Sequence, residues 1–147
     1  DHMDTYGHSV EKLHQAFVDF IHRMPFYGKA FLCIDSEHVR AILPRISKPH
    51  ATYGLDDTAD IYATDVESIG TQMKFTVHAR LKGHEPRTFD IVLNLPGRHN
   101  VLNALAAIGV ALELSLITIS EPTRQAEIPY AVFCLKKKKK KKKKKNR

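Results

Sequence analysis

The chain has 147 residues, 43% of them hydrophobic and 27% charged, which suits one domain with its own core and excludes collagen-like, disordered and disulfide-scaffold classes for most of it. Its net charge of +7 comes from Lys136 to Lys145, an unbroken run of ten; without that run 13 basic residues face 16 acidic ones, and the folded part is mildly acidic at −3. Cys33 and Cys134 give neither a disulfide framework nor metal-type spacing, which fits a reducing compartment.

The opening "DHMDTYGH" has no basic region followed by an apolar stretch, so no secretory signal is expected there. Ser9 is placed to cap a helix whose apolar positions Val10, Leu13, Phe17, Phe20, Ile21 and Met24 recur at three- and four-residue spacing, ending near Arg23. "PFYG" breaks it, and "KAFLCI" reads as a short strand buried on both faces, as in parallel sheets. Ser36 then caps a helix from Glu37 to Leu43 that stops at Pro44, and "ATYGL" supplies the next strand of a β-α-β pattern. From Met73 to Lys82 and from Phe89 to Leu95 apolar and polar residues alternate, and with "ADIYATDVESI" these segments predict three antiparallel strands.

After Pro96 and Gly97, Asn100 is expected to cap a helix to about Leu114 that is apolar nearly all round. The run from Val101 to Ile119 approaches membrane-spanning length, but Asn103, Glu113, Ser115 and Thr118 interrupt it, and a buried helix is expected. From Ser115 onward no period is sustained. The fold class read from these elements is α/β: an incomplete parallel sheet with flanking helices, joined to a small three-stranded antiparallel sheet from about Ala59 to Leu95.

Two stretches could carry chemistry. His2, with Asp1 and Asp4, could surround a hard cation of the magnesium or manganese kind, although a polar exposed terminus explains the same residues. In "NLPGRHNVLNALAA", Arg98, His99 and Asn100 stand at a helix start, where free amides and the dipole favour an anion or nucleotide. Asn103 lies one turn further, so two carboxamides could face one ligand such as an adenine edge; equally, Asn100 could only cap and Asn103 satisfy a neighbouring loop. His8, His14, His22, His38, His50, His78 and His84 lack metal-motif spacing and read as surface or structural residues. No GxxxxGK[ST], GxSxG or HExxH segment occurs.

The stretches "DHMDTY" and "LPGRHNVLNALAA", with "PFYGKAFLCIDSEHVRAILPR" and "TYGLDDTADI" between them, are similar in order and spacing to the Mur ligase family over roughly residues 1 to 114. The resemblance implies the later part of a central, ATP-binding domain of P-loop-like mononucleotide-binding type, with the phosphate loop and a substrate domain lying before residue 1. It implies a cytoplasmic ligase of peptidoglycan precursor synthesis that uses ATP and Mg2+ to activate UDP-N-acetylmuramate as an acyl phosphate for attack by L-alanine. By the same resemblance His2 helps hold magnesium, and His99, Asn100 and Asn103 contact the adenosine of ATP. Related ligases carry a carbamylated lysine about fifteen residues beyond the metal histidine; Phe17 stands there, so none is carried over. No specific nucleic acid and no membrane is expected as a partner.

Residues 115–147 depart from the family. Because AAA encodes lysine, this segment is expected to be a frameshift, a chimeric junction or a translated non-coding end, and to be disordered. Two other readings compete: a protein binding polyanions non-specifically through the lysine run, and a folylpolyglutamate-synthetase-like ligase on the same scaffold.

Overall fold

In the computed structural model, which describes the backbone of residues 2–120 and 130–133 and the side chains of residues 9–115, the apolar "KAFLC" segment becomes strand β1 (Lys29–Cys33) deep in the sheet. Its alternation sends Ala30 and Leu32 to one face and Phe31 and Cys33 to the other, and all four are buried. A strand covered on both faces has no place for a polar residue, which is why this run is wholly apolar after Lys29.

Helix α1 (His2–His22) and helix α2 (Glu37–Ile42) cover the Ala30 and Leu32 face through Val18, Ile21, Val39 and Ile42. Helix α3 (Arg98–Ser120) covers the other through Val101, Leu105 and Ala106. Strands β2 (His50–Gly54), β3 (Ile61–Ile69), β4 (Gln72–Ala79) and β5 (Arg87–Leu93) complete the expected set. With β6 (Tyr130–Phe133) the sheet order is β5-β4-β3-β2-β1-β6. The α/β class holds, and the antiparallel strands β3, β4 and β5 continue the parallel part as one sheet.

The joint between the two parts is short. β2 and β3 run parallel but share only two register pairs, Tyr53 with Ile61 and Gly54 with Tyr62, so β3 mostly extends past the end of β2. Parallel neighbours ordinarily need a crossover of a dozen or more residues; this small overlap lets six residues suffice. The Asp60 carboxylate accepts bonds from the Thr52 amide at 2.9 Å and hydroxyl at 3.2 Å, and the Thr52 hydroxyl accepts from the Asp60 amide at 3.0 Å. That reciprocal pair fixes the loop to the strand it leaves.

Asp56, in the same loop, has its carboxyl held down from 3.8 to about 2, first by the Thr58 amide, then by the Thr58 hydroxyl and the Arg40 guanidinium. A carboxylate depressed in the folded state stabilises the loop above the ordinary carboxylate range and loses that contribution as pH falls from about 3.8 towards 2. Thr58→Val is expected to move the Asp56 midpoint upward, and carboxyl-carbon NMR titration reads it; an unmoved midpoint refutes the assignment.

Three boundaries differ from the sequence reading. α1 begins at His2, so Ser9 is an exposed residue inside it and caps nothing; Met3, Tyr6 and Val10 continue the helical spacing backward. α3 begins at Arg98, so Asn100 is inside the first turn, and the helix runs past Leu114 to Ser120. Tyr130–Phe133, where periodicity gave no element, pairs in parallel with β1. Four residues are too few for a period to register, and the pairing depends on a strand a hundred residues away. The lysine run and Cys134 lie outside the described residues, and Cys33 is buried.

Candidate functional site

The end of β5 and the start of α3 build the first candidate site. Gln72, at the start of β4, donates its amide to the Asn94 side-chain oxygen at 2.6 Å, tying the strand pair where "NLPG" leaves it. Gly97 then adopts φ +97°, a backbone state that costs a residue with a Cβ. A methyl group at Gly97 would also stand 2.9 Å from the His99 ring, so glycine both turns the chain and makes room for that imidazole. The sequence alone marked Gly97 as a strand stop; its left-handed turn was the signal that the next three residues would be aimed.

Within α3's first turns, His99 and Asn103 are exposed and Asn100 is half-buried. The Asn100 side-chain amide donates to the Pro96 carbonyl at 2.6 Å, which pins the preceding loop and leaves the side-chain oxygen as the group free of that bond. Asn100 therefore does not cap the helix as expected: a capping oxygen accepts from amides ahead of it, whereas this nitrogen donates to a carbonyl behind it. Asn103 stands at the head of an open, mostly apolar face of α3 made by Ala106, Ala107, Val110, Ala111 and Leu114. The structure thus has His99, Asn100 and Asn103 on one helix start, with carboxamides and an open apolar helix face side by side. That set suits a flat heterocycle with a polar edge.

His2 is the first residue of α1, but its side chain lies outside the described residues, as do those of Asp4 and the whole of Asp1. Among the described residues no three histidine, cysteine or carboxylate side chains gather as a metal site. No described helix is long and apolar enough to cross a membrane.

The Mur ligase middle domain family matches residues 1–111. UDP-N-acetylmuramate--L-alanine ligase of Neisseria meningitidis serogroup B (strain MC58) is 84% identical over 114 residues, which are 78% of this chain and 24% of that protein. The enzyme of the same name from Neisseria gonorrhoeae (strain FA 1090) is 83% identical over the same length, and that of Chromobacterium violaceum is 60% identical over 113 residues, 77% of this chain and 24% of that protein. The chain spans about a quarter of the length of these relatives. With the middle-domain match covering both faces of the sheet and the start of α3, the chain belongs to the Mur ligase family.

Proposed function

We propose that this chain is the later part of the ATP-binding domain of a ligase joining L-alanine to UDP-N-acetylmuramate. The observation that carries the reading is 84% identity over 114 residues to proteins of that name. The reaction consumes ATP: the muramate carboxylate takes the γ-phosphoryl group, the alanine amine attacks the acyl phosphate, and phosphate leaves. The part of this chain is to hold adenosine. His99 and Asn103 are exposed at the start of α3, and the Asn100 side chain is held at the same helix end by the bond of its nitrogen to the Pro96 carbonyl. Magnesium, for which His2 is the proposed ligand, supplies neutralisation of the charge gathering on the transferring phosphoryl group.

Two variants in a complete ligase carrying this segment separate these roles. Asn103→Ala removes a contact far from the reacting atoms and is expected chiefly to raise KM for ATP, by roughly a few-fold to tenfold for a hydrogen bond of about 0.5 to 1.5 kcal/mol. His2→Ala weakens stabilisation of charge formed at the reacting group and is expected to lower kcat, with partial recovery at high magnesium. Wild-type kinetics in both variants would remove the assignments. On its own the 147-residue chain contains no GxxxxGK[ST] segment, and purified it is expected to show no magnesium-dependent ATP turnover. Measured turnover would overturn that reading.

A further inference from the structure

Two histidines that the spacing of the sequence left unconnected meet between α1 and α2. The His14 Nε2 and His38 Nδ1 atoms are 3.0 Å apart, their ring centroids are 5.2 Å apart, and His14 is buried while His38 reaches the surface. Further contacts tie α1 to the segment that follows α2. Arg45 binds Glu11 at 3.2 Å and also Gln15, and His22 accepts a bond from the Ser47 amide at 3.3 Å.

We infer that His14 and His38 form a two-imidazole site for a borderline divalent transition metal of the zinc class, bridging α1 to α2. The donors choose the ion: neutral imidazole nitrogen suits zinc, copper and nickel, whereas magnesium takes oxygen. The distances fit. At a tetrahedral ion with metal–nitrogen bonds of about 2.0 to 2.1 Å, two ligand nitrogens lie about 3.3 Å apart and their ring centroids about 5.2 Å apart. The centroids already have that separation, but the two nitrogens now point at each other as in a near-linear hydrogen bond, so each ring turns by about 35° to bring both lone pairs onto one tetrahedral ion.

Binding exchanges one bond for two. The ring that now donates in the nitrogen–nitrogen hydrogen bond moves its proton to its other nitrogen, so both imidazoles stay neutral and both facing lone pairs bind the ion. Among the described residues no third histidine, cysteine or carboxylate joins them, so water fills the remaining positions, reached from the His38 side. The residues are separate from His2, and the inference does not depend on the ATP reading.

The test titrates the 147-residue chain with zinc, and with cobalt(II) as a visible probe, against magnesium as control. Zinc at micromolar concentration is expected to raise Tm, because an ion that binds only the folded state stabilises it by mass action. His14→Gln and His38→Gln should each abolish that rise, while His2→Ala should keep it. His38→Cys, folded by circular dichroism, should retain the rise and add a thiolate–cobalt absorption absent from the parent chain. A rise that persists in both glutamine variants, no rise in the parent chain, or no new absorption in the cysteine variant would each overturn the site and leave a shared proton as the whole of the contact.

Discussion

Glu113→Ala is expected to destabilise the domain by about 3 to 5 kcal/mol, a large part of the roughly 5 to 15 kcal/mol that holds a domain folded. Lys29 at the start of β1 meets Glu113 on α3 at 2.6 Å, with side-chain exposures of 20% and 13%. The pair is largely withdrawn from water, so removing the carboxylate leaves a lysine ammonium desolvated and unpaired beside the Phe31 ring. His84 belongs to the same cluster: its buried Nε2 has no hydrogen-bond partner among the described residues and lies 3.7 Å from the same Glu113 oxygen. The pair itself contributes less than its rupture costs, because two charges were desolvated to form it. Lys29→Met with Glu113→Leu should therefore recover most of the loss. Urea denaturation midpoints of the single and double variants decide it; a double variant as unstable as the single one would mean that the ion pair, and not the avoidance of an orphaned charge, sets the energy.

That cluster also shows what periodicity cannot reach. Lys29, His84 and Glu113 lie far apart in sequence, each in a segment whose pattern was read correctly, and nothing in one segment names the others. Local chemistry was legible: Ser36 caps α2, its hydroxyl accepting from the Val39 amide, and the alternation of β4 places Met73, Phe75, Val77 and Ala79 in the core. The polar half of that alternation was read only as a wet face. There Tyr62 stacks on His78 with centroids 4.7 Å apart, and Arg80 lies 4.9 Å from the Tyr62 ring, a ladder set by strand register. At the candidate site His99, Asn100 and Asn103 were named from the sequence, but the reversed role of Asn100 was not, because an asparagine near a helix start can donate or accept and only the path of Pro96 decides which.

Phe31→Ala is expected to cost about 3 to 5 kcal/mol, the loss typical of deleting a buried aromatic ring. Phe31 is fully buried at the middle of β1 and packs under α3 at Gly109. A Cβ at Gly109 would stand 2.6 Å from the end of Ile61 and 2.8 Å from the Phe31 ring, both side chains being buried and unable to move aside freely. This is why a helix with no turn at that point carries glycine in its interior, where alanine would ordinarily favour the helix by about 1 kcal/mol. Gly109→Ala alone should overpack the contact and destabilise by about 1 to 3 kcal/mol. In the Phe31→Ala background one of the two obstructing groups is gone and the end of Ile61 can shift into the space the ring leaves, so the same substitution should cost clearly less. The reduced cost is the diagnostic result, since independent sites give equal effects in both backgrounds. Equal destabilisation by Gly109→Ala with and without the Phe31 ring, read from denaturation midpoints, would show that the glycine answers to some other neighbour.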